Sequence, residues 1–381
     1  MARTRRLHSD PLIFFTALGF ILVFVAATLA FGDQARQTYA AISGWLMGHF
    51  TWLYIGGVSA TLVFLICVFV SRYGNLRLGD DDDEPEYSYP VWFAMLFAAG
   101  MGATLMFWGA AEPLNHAYNP PRGGYDSMSR DAIIQAFEFT YYHFGIHMWV
   151  IFTLPGLAVG YFVYKRKMPA RMSSMFAPLL GGKVYEAPGK LLDALGIIGT
   201  VFGLAVSVGL GVLQISAGMS ILWGVPLVTP VQIAIICAIT IAASISVATG
   251  LDKGVKILSN LNIAGTIALM IFVLLTGPTL KLLGQITESF GIYTQSLPEL
   301  MFWVDSYNDN PGWHATWTAF YWAWTIAGRP LWACSSPAFP AAAPFASSSA
   351  ARCFCPPRST SCGFPSSAAP PLTWRSGTRA C

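Results

Sequence analysis

The sequence predicts an all-α integral membrane fold, and three observations carry that prediction. Charged residues make up 11% of the 381 positions and apolar residues 55%, whereas a soluble domain averages about 25% charged. Apolar runs of roughly twenty residues recur along the chain, the length that crosses a hydrocarbon layer of about 30 Å at about 1.5 Å per helical residue. One such run, residues 90–111, carries Gly100, Gly102 and Gly109 in its interior. Closely spaced glycines weaken a helix, and in lipid an irregular backbone survives only where protein buries it or a watery cavity faces it. Solute transporters use such a weak point to turn backbone carbonyls toward an ion or substrate, while an isolated Gly-x-Gly more often serves close helix packing through small residues.

The apolar runs place spans at 11–31, 52–70, 90–111, 139–164, 191–215, 230–249 and 260–280, with an eighth starting at 313. Arg3, Arg5 and Arg6 ahead of the first run look like a secretory leader. That run is longer than the about 7–15 apolar residues of a leader, so it predicts a retained span. Alternate connecting segments hold thirteen Lys and Arg, starting with Arg3, Arg72, Lys165 and Lys253, against only Arg36, Arg122, Arg130 and Lys281 in the others. The cation-rich side faces the cytoplasm, so the N-terminus is expected there. The acidic run from Asp80 to Asp83, with Glu84 and Glu86, reads as a solvated linker on the same side. Between the seventh and eighth spans, residues 286–304 have the apolar spacing of an amphipathic helix lying in the outer interface.

Composition also excludes classes of function. No Arg/Lys-dense patch with interleaved aromatics is present, which argues against a nucleic acid partner. Cys67 and Cys237 lie in apolar runs as small hydrophobes, and the other five cysteines follow Ile326, so no disulfide framework emerges. The spans lack paired acid/base or nucleophile spacing, which argues against an enzyme.

The string Gly100-Met101-Gly102-x-x-Leu105-Met106-Phe107-Trp108-Gly109-x-x-Glu112-Pro113-Leu114, closed by Tyr118-Asn119-Pro120-Pro121, resembles the betaine/choline/carnitine transporter (BCCT) family. The resemblance continues through Thr200 to Ile215, Gly250 to Asn262 and Trp317 to Ile326. It implies secondary transport of quaternary ammonium solutes (glycine betaine, choline or carnitine) across a bacterial inner membrane, and homotrimers among relatives. It also implies a LeuT-like inverted-repeat fold, with the site between two five-helix repeats near the bilayer midplane. On that pattern residues 1–89 form two extra helices and the acidic linker, 90–285 the first repeat, and 286–326 the interfacial helix and the start of span eight; the second repeat is mostly missing.

A quaternary ammonium has no N–H to donate, so its head is held by aromatic faces, at about 0.5 to 2 kcal/mol each when desolvated. By resemblance, Phe144, Trp149 and Phe152 occupy the box positions on the fourth span, where Trp, Trp and Tyr are usual, and Trp322 and Trp324 belong to the Trp-rich eighth span. Gly100, Met101 and Gly102 of the weakened third span complete the substrate-facing set. The resemblance implies no cofactor beyond a coupling ion, Na+ or H+. Carbonyls at Ala98 and Met101 would hold sodium with hydroxyls of a tenth span. Thr200 matches one ligand of a second site, while Leu204 replaces the other. Thr104 stands where sodium-type members carry a third glycine and choline-type proton-coupled members an acid, which leaves both ions open and sodium slightly favoured. His143 and His147, spaced i, i+4, share a helix face. With no third ligand near in sequence, they are expected to pack or hydrogen-bond rather than bind metal. Glu112 follows the third span just before Pro113, a position open to either a helix-end or a gating role.

From Ala327 onward the composition changes: residues 327–381 hold five Arg, no Lys, nine Pro, ten Ser, five Cys and none of the nineteen acidic residues. One base inserted after the Ile326 codon restores ISWSPFVGMFIAR, which resembles the family's eighth span and its cytoplasmic exit. Residues 327–381 are therefore expected to be an out-of-frame, disordered tail, and the chain without its second repeat is expected not to transport. The alternatives are a channel, a membrane enzyme or the product of a pseudogene.

Overall fold

The computed structural model describes residues 10–76, 78, 103–248, 256–307 and 309–328, and among them every regular element is helical. Five helical stretches among the described residues are long and apolar enough to cross a membrane.

The first helix, α1 (Pro11–Val70), starts where Asp10 caps it, its carboxylate accepting from the Leu12 amide at 3.0 Å with Pro11 in the first turn. The sequence separates spans 11–31 and 52–70; the structure also breaks the helix after residue 31, but keeps residues 33–51 helical ahead of the second span. The break falls at Gly32 (φ 47°, ψ −115°), at the end of the first apolar run, in a conformation that favours glycine.

Helix α2 (Ala103–Tyr118) is the described part of the third span and contains Pro113. It corrects the expected helix end: the helix runs through the proline and closes with Asn119 donating to the Asn115 carbonyl at 2.8 Å. Proline costs one hydrogen bond and restrains its predecessor, yet the segment stays helical to Tyr118. Glu112 and His116 therefore share one face of α2.

The fourth span is expected to be continuous, and it is broken. Helix α3 (Arg130–Phe144) begins at Ser129, whose hydroxyl accepts from the Ala132 amide at 3.2 Å, and ends at Gly145. Helix α4 (Ile146–Val159) then resumes and runs into a π-helical turn at Gly160–Lys165. A side chain at Gly145 would strike the Tyr141 carbonyl and lie 2.8 Å from the Tyr293 hydroxyl. That hydroxyl accepts from the freed Ile146 amide at 3.3 Å.

Helix α5 (Ala187–Trp223) ends on Gly224 in the left-handed conformation, its N–H reaching the Ser220 carbonyl at 2.9 Å. Helices α6 (Thr229–Ala248) and α7 (Lys256–Thr276) bury none of their most apolar stretch within the chain. Helices apolar all round and unburied need a lipid or protein surround. Helix α8 (Thr279–Leu300) is the expected amphipathic element, beginning seven residues earlier than its apolar spacing indicated. Its buried residues Ser289, Tyr293 and Leu300 face the α3 side, where Ser296 donates to Glu138 at 2.6 Å and Arg122 pairs with Glu299 at 2.8 Å.

The eighth span is also broken. Helix α9 (Trp313–Thr316) and helix α10 (Thr318–Gly328) meet at Trp317 (φ −113°, ψ −84°). The core gathers Ile55 and Val58 of α1, Phe139 and Tyr142 of α3, Ile151 of α4, Tyr293 and Leu300 of α8, Trp313 of α9, and Tyr321 and Trp322 of α10. It sits where the two broken spans cross.

Candidate functional site

The aromatic residues picked out by the sequence fall into two groups. Phe144, Trp322 and Trp324 share the central cluster: Phe144 meets the edge of Tyr321 at 5.6 Å, Trp324 stacks on Tyr321 at 6.3 Å, and Trp322 packs against Tyr142 at 5.5 Å. Trp149 and Phe152 form a ring pair with each other, 5.6 Å apart on α4. Trp322 is wholly buried, whereas Trp324 is half-buried and donates its indole N–H to the Gly203 carbonyl of α5 at 3.1 Å. The Thr200 hydroxyl, one turn earlier on α5, is buried and has no hydrogen-bond partner among the described residues. Gly100, Met101, Gly102 and Ala98 lie outside the described residues, as do Thr104's side-chain surroundings, the acidic run Asp80 to Asp83 and residues 329–381. Helix α10 continues two residues beyond Ile326.

Sequence spacing missed the polar centre of this cluster. It pairs His143 with His147, but the structure joins His143 to Glu112, 31 residues away. Glu112 Oε1 lies 2.6 Å from His143 Nδ1 and 3.2 Å from His116 Nε2, and His143 Nε2 lies 2.9 Å from the Thr318 hydroxyl. All four side chains are buried, with Glu112 and His116 at 0% exposure. Only the i, i+4 spacing of Glu112 and His116 across Pro113 could have signalled the group, and it counts only once the helix is known to continue.

Aromatic rings wall this group in. His143 lies parallel to Trp313 at 6.0 Å and meets Tyr321 at 4.9 Å, and His116 meets the edge of Trp317 at 4.4 Å. Trp108 closes the same side against Trp317 at 5.5 Å. His147 lies against Tyr142 at 4.7 Å and parallel to Trp322 at 6.3 Å. Neither of its nitrogens has a hydrogen-bond partner among the described residues.

Glu112, His116 and His143 offer three donor atoms within 4.8 Å of one another, near enough in principle to surround a metal ion. The 2.6 Å contact argues otherwise. Two ligands at about 2.0–2.1 Å from a tetrahedral zinc stand about 3.3 Å apart, whereas at 2.6 Å His143 Nδ1 and Glu112 Oε1 are in direct hydrogen-bond contact.

Broken spans, apolar helices awaiting lipid, and a buried carboxylate and imidazoles ringed by aromatic faces define a multi-pass helical membrane protein of the solute-transporter class. The sequence pattern of BCCT, betaine/carnitine/choline family transporter, matches residues 12–339, and the chain belongs to that family. It is 62% identical over 324 residues to the ectoine/glycine betaine/proline transporter EctP of Corynebacterium glutamicum, covering 85% of this chain and 53% of that protein. The osmo-dependent choline transporter BetT2 of Acinetobacter baylyi is 36% identical over 322 residues, 84% of this chain and 47% of its own. A probable glycine betaine transporter of Desulfitobacterium hafniense is 36% identical over 311 residues, 81% and 61% respectively. The chain spans about half the length of the curated relatives it matches.

Proposed function

We propose that this chain is the first-repeat portion of a secondary transporter for glycine betaine and related quaternary ammonium solutes, with its N-terminus in the cytoplasm. The observation that carries this reading is the meeting of aromatic rings from α3 and α10, Phe144, Tyr321, Trp322 and Trp324, where two spans break. Such rings supply the one interaction a methylated ammonium accepts, and broken helices supply carbonyl and amide groups beside it. Trp149 and Phe152 extend the substrate path along α4, and Gly100, Met101 and Gly102 contribute backbone. Phe in place of Trp and Tyr at two box positions weakens the cation–π term. That suits a site tolerant of several compatible solutes, since the relatives are transporters of ectoine, glycine betaine, proline and choline.

Ala98, Met101 and Thr200 are assigned to the coupling ion, and the unpartnered Thr200 hydroxyl supports an ion near α5. Topology is supported from both faces. Asp10 meets Lys190 at 2.9 Å on the cation-rich side, and Arg122 meets Glu299 at 2.8 Å on the other, as alternating spans require. The test is uptake of labelled glycine betaine by cells lacking their own carriers. The chain with one base restored after the Ile326 codon gives saturable uptake and counterflow, and the 381-residue chain gives neither. Linear, unsaturable flux would favour a channel.

A further inference from the structure

We propose that Glu112, His143 and His116 form a proton-binding site whose occupancy is transmitted through Thr318 to the break in the eighth span. The proposal rests on the transporter reading only for its use in the transport cycle. The site itself stands on geometry.

Glu112 Oε1 faces two imidazole nitrogens at 2.6 and 3.2 Å, and the basic side chains paired with it are His143 and His116. A carboxylate at 0% exposure with no lysine or arginine bound to it among the described residues is neutral only when one extra proton resides in the group. With that proton, Glu112 and His143 share one hydrogen along the 2.6 Å contact, and His143 Nε2–H donates to the Thr318 hydroxyl. Without it, His143 keeps its single hydrogen on Nδ1, facing the carboxylate. Its bare Nε2 must then accept from Thr318 at the same 2.9 Å. Loss of one proton to water therefore reverses the Thr318 bond and leaves one negative charge in the group. Thr318 is the first residue of α10, directly after the break at Trp317. Reversing its bond changes which backbone or side-chain acceptor its hydroxyl can serve at that break.

The surroundings fit a coupled group rather than a lone acid. Facing it are His147 of α4, His314 of α9, Tyr142 of α3 and Tyr321 of α10, whose hydroxyl lies near Glu112. From α1, Ser59 lies near the Tyr142 hydroxyl, and from α8 Tyr293 does. Arg122 lies over Phe139 at 5.9 Å and is paired with Glu299. Glu112 Oε2 and His116 Nδ1 have no partner among the described residues, so the group has free positions to receive and pass on a proton.

The experiment is infrared difference spectroscopy of the purified 381-residue chain in detergent after pH steps, with circular dichroism to verify helix content. It needs no transported solute. A protonated-carboxyl band that appears on acidification and is lost in Glu112→Gln is expected. Thr318→Val, which keeps the side chain's shape, should retain the band but shift its position, and His143→Gln should move its titration midpoint by at least tenfold in proton concentration. A band that persists unchanged in Glu112→Gln, or a Thr318→Val spectrum identical to the parent, overturns the proposal. So does stoichiometric zinc binding that Glu112→Gln abolishes. Absent betaine uptake by the restored-frame protein would count against the transporter reading and leave this site standing.

Discussion

Trp324 of α10 donates its indole N–H to the Gly203 carbonyl of α5 across 3.1 Å, so the eighth span is pinned to the fifth by a side chain reaching bare backbone. The approach is possible because Gly203 has no side chain: a Cβ there would lie 2.9 Å from Gly328 Cα and 3.0 Å from its nitrogen. Gly203→Val in the 381-residue chain should lower stability by about 1–3 kcal/mol, the usual cost of overpacking against backbone. Thermal unfolding in detergent measures it, and an unchanged midpoint would remove this contact from the account.

Gly145 makes the same argument at the break in the fourth span. Gly145→Ala places a methyl 2.8 Å from the Tyr293 hydroxyl and against the Tyr141 carbonyl, and should cost about 1–3 kcal/mol. Tyr293→Phe removes that hydroxyl together with the acceptor of the Ile146 amide. The double variant should therefore be less damaged than the sum of the two single ones. Strict additivity, read from the same unfolding curves, would show that the two residues do not meet.

Asp10 supplies a pH dependence outside the membrane. Its hydrogen bond to Lys190 is the largest of the effects that hold its carboxyl below the ordinary range. A depressed folded value means the contribution is fully present above the unfolded aspartate value of about 3.9 and is lost as pH falls through the folded one. Hydrogen exchange at the first turn of α1 should lose protection in that acidic window. Asp10→Asn keeps an oxygen for the Leu12 amide but removes the charge, so it should abolish the pH step while leaving the cap.

Much of the fold was legible because crossing a bilayer imposes a length of apolar residues, and α5, α6 and α7 follow the runs that announced them. The breaks were not, because a glycine such as Gly145 inside an apolar run reads equally as a packing residue or a kink until Tyr293, distant in sequence, is seen to take the Ile146 amide beside it. Pro113 misled in the opposite sense: it is a local stop signal, yet α2 stays helical through it to Tyr118. Of the aromatic residues that the family resemblance picked out, Phe144, Trp322 and Trp324 meet in one cluster, while Trp149 and Phe152 pair with each other on α4. The Glu112–His143 contact was not legible, because spacing reports neighbours on one helix and this pair comes from two.

The change in composition after Ile326 has its own test. Resequencing the gene across the codons for Trp324 to Pro330 should recover one additional base. An unambiguous in-frame read would remove the reconstruction, and the restored protein would then have no basis.

The central claim is that aromatic rings on the fourth and eighth spans hold a methylated cation on its way across the membrane. Glycine betaine uptake into proteoliposomes carrying the restored-frame protein tests it most directly, with Trp149→Ala alongside at equal reconstituted amounts. The account predicts saturable uptake that falls about two- to thirty-fold in the variant, the range that matches a loss of about 0.5 to 2 kcal/mol with one desolvated ring. Undiminished uptake by Trp149→Ala, or none by the parent protein, would contradict it.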